Sequence, residues 1–471
     1  MKSSKSSQGG LLQQWERDHV WHPFTQMAES TAEPPLIIES ADGCWLVDCE
    51  GNRYLDGVSS MWCNVHGHRH PTLDAAVAEQ LGKVAHSTLL GASNVPAIRL
   101  ARKLVELAAP LSADRPDGRG LTRVFYSDDG ATAVEVALKM AFQYGRQRED
   151  PRPEKTKFVS LGGAYHGDTL GDVSLGGVER FHRLFKPLLF PTYRAPSHYC
   201  YRCPLGLERS TCQIDCLAEL VRILDAHHRE IAAVVVEPLV QGAAGMITAP
   251  EGYLRGVRDA TRRSDVLLIA DEVAVGFGRT GTMFACEQEK VCPDFLCLAK
   301  GLSGGYLPIA ATLTTEDVYG AFLGSYAEQK AFSHGHTYTG NPLGAAVALA
   351  SLKVFEEERT LEQLPKKLAL FKQKLAQMAV LRHVGHTRSR GLMAGIELVA
   401  DKQTKAPYGV DHRMGARVCR AARDHGVLLR PLGDLIVLMP PLSIPPDLLE
   451  QLCDVARRAI VEVTESNAHA V

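Results

Sequence analysis

From about residue 72 to 345 the chain alternates short apolar runs with amphipathic stretches. The runs are Val124-Phe125-Tyr126 and residues 158–161, 232–236, 266–270 and 295–298. Polar or Gly-rich segments bound each run, and β-branched or aromatic residues dominate it. That pattern predicts strands buried on both faces, and the helical stretches between them predict a largely parallel sheet. The clearest helix is expected over 131–144, with Val134, Ala137, Leu138, Ala141 and Phe142 on one face. Residues 110–120 and 145–157 are charged and rich in Pro and Gly, which predicts surface loops.

Outside this region the pattern changes. Residues 1–10 read as a disordered tail. Between residues 15 and 70, strand-like pieces at 36–38 and 44–48 and the turn Glu50-Gly51-Asn52 predict a small antiparallel unit. After residue 346 the order is helix (349–355 and 361–378), strand (390–398), helix. The expected fold class is α/β. Residues 71–345 form a large domain, and residues 1–70 and 346–471 supply the N- and C-terminal parts of a small one.

Composition narrows the function. The 52 basic and 54 acidic residues leave a net charge of -2, with no electrostatic footprint for nucleic acid or an anionic membrane. The polar start MKSSKSSQGG lacks the apolar core of a signal peptide, and no run approaches the roughly 18 apolar residues of a membrane helix. The expectation is a cytoplasmic protein. Twelve cysteines in so long a chain do not form a secreted disulfide framework.

Candidate chemistry collects just after the apolar runs, where open parallel sheets bind ligands. Asp271 ends the run 266–270. A buried carboxylate there needs a partner, either a protonated pyridine nitrogen or a structural cap or ion pair. Lys300 follows 295–299 and precedes a Gly-rich loop. Desolvation would make it a Schiff-base nucleophile; the alternative is a solvated loop lysine. Gly130-Ala131 opens the helix at 131 and offers backbone N–H groups to a phosphate, or is an ordinary capped start. Asp129 would place a negative charge beside that phosphate unless it turns away to cap the helix. Tyr165 is placed to stack on a ring or to pack in the core.

Other motifs carry less. Residues 276–281 match G-x-G-x-x-G, but they do not open a helix directly after a strand, so a dinucleotide site is not expected. Cys200, Cys203, Cys212 and Cys216 have spacing that could hold zinc or an iron–sulfur cluster, or are plain reduced thiols. His66, His68 and His70 alternate, as hydrogen-bonded loop histidines would. No metal is assigned.

The stretch from Leu267 through Asp271-Glu272-Val273, then 276–281, Pro293-Asp294 and Lys300 to Gly305, resembles the class III aminotransferases. The resemblance runs from about residue 15 to 465. It implies a fold-type I transferase that uses pyridoxal 5'-phosphate (PLP). Lys300 would hold the cofactor and Asp271 would pair with its ring nitrogen, with Val273 and Tyr165 on opposite ring faces. Glu237-Pro238 and Gln241-Gly242 also match. Thr337, with His336 beside it at the cofactor, would bind the phosphate of a neighbouring subunit, which implies a homodimer with shared active sites. Trp21 to Thr25, Ser59 to Trp62, Asn64 to His68, Tyr165 to Thr169 and Arg430 to Gly433 resemble the branch of biotin synthesis that aminates 8-amino-7-oxononanoate (KAPA). That branch implies Phe24, Met61, Trp62, Tyr165, Asp168, Lys300, Gly335 and Arg430 at the substrate, with Arg430 on the acceptor's carboxylate. Phe24 and Met61 stand where many relatives that use S-adenosylmethionine carry tyrosine and tryptophan, so the amino donor is expected to be adenosylmethionine or lysine. The other readings are a different ω-amine transaminase, or a non-catalytic protein that kept the fold; Lys300, Asp271 and Tyr165 argue against the last.

Overall fold

The computed structural model describes residues 2–32, 34–115 and 118–465. The chain starts with a helix over Lys2–His19, which corrects the expected tail at 1–10. Leu12 and Trp15 of its second half line one open cavity with Ile37. A meander of β1 (Ile38–Asp42), β2 (Trp45–Asp48) and β3 (Arg53–Asp56) follows, antiparallel as expected.

The central strands are β4 (Leu121–Ser127), β5 (Lys157–Leu161), β6 (Tyr193–Ala195) and β7 (Ile231–Val236). After the small ladder of β8 (Val240–Gln241) and β9 (Ile247–Thr248) come β10 (Leu267–Asp271), β11 (Phe295–Leu298) and β12 (Ala310–Thr315). They form a seven-stranded sheet in the order β4-β12-β11-β10-β7-β5-β6. Only β12 runs against its neighbours. Residues 299–309 between β11 and β12 hold one short 3-10 turn, Lys300–Ser303. A parallel return needs a longer crossover, so this link reverses the strand. Every residue of β7, β11 and β12 is buried. Two apolar clusters cover the sheet, one of them built on the buried face of the helix Gly130–Gln147.

The C-terminal part contributes β13 (Val384–Arg390), β14 (Met393–Leu398), β15 (Val427–Leu428), β16 (Arg430–Leu432) and β17 (Leu435–Leu438). The expected single strand at 390–398 is a hairpin. Gly391 turns it at φ 60, and a Cβ there would lie 2.1 Å from the Arg279 carbonyl oxygen. β15 pairs in parallel with β3, so the sheet of β1 to β3 is completed from the far end of the sequence. No helix among the described residues is long and apolar enough to cross a membrane.

Candidate active site

The sheet delivers its polar residues to one edge. β10 ends on Asp271, the turn after β11 presents Lys300, β7 leads into Glu237 and β5 leads to Tyr165. β4, which runs in the same sense, leads into the helix start at Gly130. The shared direction of these strands brings residues distant in sequence to one crevice.

Asp271 is 4% exposed. Its Oδ2 lies 2.7 Å from His166 Nδ1, and its Oδ1 accepts from the Val273 N–H at 3.0 Å. Both oxygens of this buried carboxylate are therefore engaged. His166 is buried too, and its Nε2 has no partner.

Lys300 adopts a left-handed backbone (φ 42), a strained conformation for a residue with a Cβ. Its Nζ sits 5.7 Å from the centroid of the Trp62 ring. Burial lowers its pKa, while the negative charges of Asp271, Glu237 and Cys63 oppose that shift. Glu237 accepts from the N–H groups of Tyr165 (3.2 Å) and Gly242 (2.8 Å), and burial pushes its carboxyl up to about 7.

At the other side of the crevice, the Asp129 side chain accepts from Thr132 N at 2.9 Å, and Thr132 Oγ1 accepts from Asp129 N at 3.2 Å. This capping box turns the carboxylate to its own helix and resolves the question of its charge. The next residue has to be glycine for lack of space: a Cβ on Gly130 would lie 2.4 Å from Val273 Cγ1.

A cleft of about 1020 Å³ opens over Lys300. Phe24, Met61, Trp62, Tyr165, Asp168 and Arg430 all line it with Lys300. Tyr165 donates from its hydroxyl to Asp168 Oδ2 at 2.7 Å. Phe24 meets Phe181 edge-on at 5.2 Å. Arg430 Nη1 lies 3.2 Å from Met61 Sδ. Trp62 is 5% exposed, with its indole N–H unpartnered. Asp56 holds this wall, accepting from the N–H groups of Val58 and Ser60.

The segment Gly335-His336-Thr337 does not line this cleft. Gly335 and Thr337 are exposed, and His336 Nδ1 lies 3.9 Å from Asp128 Oδ2. His166 and Arg180 belong to the crevice, yet sequence reasoning gave neither a role. His166 could be found through its place beside Tyr165; Arg180 leaves no signal in the sequence.

The remaining motifs have structural work. His66, His68 and His70 bond Ser351, Asp56 and Glu358. Residues 276–281 form turns, and buried Arg279 donates to the carbonyls of Pro440 (2.6 Å) and Asn64 (2.9 Å). Cys200, Cys203, Cys212 and Cys216 line one small cavity as free thiols. Among the described residues, no group of three or more His, Cys, Asp or Glu is arranged to hold a metal ion.

The donor set fits PLP. A desolvated amine suits an aldehyde, a fixed carboxylate suits a protonated ring nitrogen, and a helix start with free N–H groups suits a phosphate. At the end of β4, three residues before the helix start, the buried Ser127 Oγ has no partner among the described residues and would suit a phosphate as a further polar group.

The model of the family described as Aminotransferase class-III matches residues 26–460. An adenosylmethionine-8-amino-7-oxononanoate aminotransferase from Nitratidesulfovibrio vulgaris is 56% identical over 98% of this chain and 84% of its own. The crystal structure of an enzyme of the same name from Methanocaldococcus jannaschii superposes with a TM-score of 0.90 at 47% identity, covering 96% of this chain and 99% of that one. A PLP-bound amine transaminase from an uncultivated Pseudomonas species has a TM-score of 0.88 at 34% identity, covering 94% and 99%.

Proposed function

The chain belongs to the class III aminotransferase family, whose members depend on PLP, and from that premise we propose that it aminates KAPA to 7,8-diaminononanoate in biotin synthesis. The single observation that carries the substrate assignment is the shared cleft. Lys300 and the guanidinium of Arg430 line one cavity, with Phe24, Met61 and Trp62 as apolar wall. An acceptor with a ketone at one end, a methylene chain and a carboxylate at the other matches that sequence of surfaces. The names of the relatives agree.

When bound, PLP supplies an electrophilic carbon and a ring that withdraws electrons from the substrate carbon bearing the amine. The protein's residues do the rest. Lys300 would hold the cofactor through Nζ and, once released, move a proton at that substrate carbon; a pKa lowered by burial keeps more of its amine neutral and able to accept it. Asp271, fixed by His166, would hold the ring nitrogen in its charged form. Gly130 and Ala131 would bind the phosphate, Val273 and Tyr165 would cover the two ring faces, and Glu237 would brace the Tyr165 backbone. Arg430 would take the acceptor's carboxylate, and Asp168 would orient the Tyr165 hydroxyl.

The assembly proposed is a homodimer, in which Gly335, His336 and Thr337 of each subunit complete the site of the other; their position outside their own cleft supports this. A cytoplasmic location and the division into residues 1–70, 71–345 and 346–471 belong to the same proposal, and the β3–β15 pairing supports the division. The donor is an amino acid, adenosylmethionine or lysine. The test is mass spectrometry of the amine-loaded enzyme mixed with KAPA. Formation of 7,8-diaminononanoate is expected. Failure of KAPA to react, while simple ω-amines are consumed, would overturn the proposal.

A further inference from the structure

Arg430 is not the only cation in the cleft. Arg180, on the short helix Glu179–His182, lines the same cavity. Its Nη1 would be 3.3 Å from a Cβ on Gly433, so the guanidinium lies against the loop that follows Arg430-Pro431-Leu432. Gly433 has φ 66, so a side chain there would be strained as well as crowded. The Arg180 guanidinium also lies 4.6 Å from the Phe181 ring centroid.

Neither arginine has a carboxylate partner among the described residues. The one hydrogen-bond acceptor for Arg430 is the Met61 thioether, a weak one. The acidic groups nearby are taken: Asp168 accepts from Tyr165, and Glu179 pairs with Lys186 at 3.2 Å. Burial lowers the pKa of Arg430; Tyr165 opposes that shift, and the positive charge of Arg180 adds to it. Two guanidinium groups facing one partly desolvated space repel each other until an anion enters between them.

We propose that Arg180 and Arg430 together form one carboxylate subsite, with Arg180 as a second specificity-determining residue for the acceptor's remote carboxylate. This rests on the assignment of an acceptor with a carboxylate to this cleft. Arg430 reaches from β16 and Arg180 from the helix Glu179–His182, its guanidinium against Gly433. A carboxylate has two oxygens, enough for one charge-assisted contact to each guanidinium. Acceptors without the carboxylate would leave both cations unpaired and so be discriminated against.

The test separates the subsite from the reaction. Calorimetry of the PLP-loaded enzyme with nonanoate, a nine-carbon chain that has the carboxylate but no reacting group, reads the subsite alone. Binding should weaken at least fivefold in Arg180→Gln and at least tenfold in Arg430→Gln. Arg180→Lys, which keeps the charge, should recover part of the loss. In the Arg180→Gln/Arg430→Gln double variant the loss should fall short of the product of the single losses, because both contact one group. In the acceptor half-reaction, Arg180→Gln should lower the preference for KAPA over its methyl ester by a similar factor. Nonanoate binding that is equal in wild type and Arg180→Gln would overturn the subsite, as would no binding to wild type. If KAPA fails to react while nonanoate shows the expected losses, the assignment of KAPA falls and the two-arginine subsite stands.

Discussion

His166 Nδ1 and Asp271 Oδ2 meet at 2.7 Å across 105 positions of sequence, and both side chains are buried. The contact fixes the aspartate's orientation from the side, leaving its position at the end of β10 to face the crevice. Asp271→Asn should lower the rate of proton transfer at the substrate roughly hundredfold or more, because an amide cannot hold the ring nitrogen charged. His166→Gln should give a smaller loss. Stopped-flow absorbance of the donor half-reaction checks both, and full activity of Asp271→Asn with cofactor bound would show that the carboxylate serves another purpose.

Lys300→Ala should keep the fold and lose turnover. In the wild type, burial lowers the lysine's pKa, so its amine is neutral over a wider range than a free lysine's. The rate at which the cofactor-free enzyme captures PLP should rise with pH and level off below the ordinary lysine value of 10.5. A plateau reached only above that value would contradict the burial argument.

Arg430→Ala should raise the KAPA KM strongly and affect the donor half-reaction less. Removing one member of a partly buried charge pair costs about 2–5 kcal/mol. Steady-state and half-reaction kinetics separate the two effects, and equal damage to both would point to a structural role.

Glu272 is fully buried and accepts from the N–H groups of Ala285 (2.6 Å) and Cys286 (2.8 Å). Burial pushes its carboxyl from 4.5 up to about 7. The unfolded chain gives up this proton near 4.5 while the folded chain keeps it, so this group's contribution to stability falls as pH rises from 4.5 to 7. Glu272→Gln removes that dependence. The stability difference between wild type and variant should shrink across this window by up to about 3 kcal/mol. Denaturant unfolding at several pH values measures it, and parallel curves would refute the shift.

The donor prediction follows from the wall of the cleft. Phe24 offers no hydroxyl and Met61 no aromatic face, and both are partly exposed and line the cavity. An aromatic ring at position 61 would give a sulfonium about 0.5–2 kcal/mol of attraction. Lysine should therefore serve at least as well as adenosylmethionine, and Phe24→Tyr/Met61→Trp should shift preference toward adenosylmethionine. Single-turnover assays with each donor decide it; a wild type that reacts with adenosylmethionine and ignores millimolar lysine would reverse the reading.

Local pattern made the centre of this site legible. Asp271 and Lys300 follow buried apolar runs, and a charged residue at such a place is visible without coordinates. The five expected central strands all form. What escaped depends on long-range geometry. β12 carries three threonines in six residues and lacks the apolar run of β11, and the short link from β11 reverses it. The hairpin at Gly391 interrupts a stretch whose apolar pattern runs straight through. The His166–Asp271 contact and the approach of Arg180 to Gly433 join segments with no shared periodicity. For Asp129 the sequence allows either a cap or a charge beside a phosphate, and only the direction of its side chain, seen in its bond to Thr132 N, decides between them.

The pairing of β15 with β3, together with the Ser59 Oγ contact to the Met439 carbonyl at 2.7 Å, ties the Trp62 wall to residues nearly 400 positions later. During synthesis the meander of β1 to β3 emerges early and must wait with an open edge until the chain is almost complete. Exposed strand edges recruit other chains, and contacts of such long range close slowly. A chain stalled near residue 420 would therefore present a sticky, half-built wall to the cell, and helpers that shield nascent chains would matter more for its yield than for its final stability.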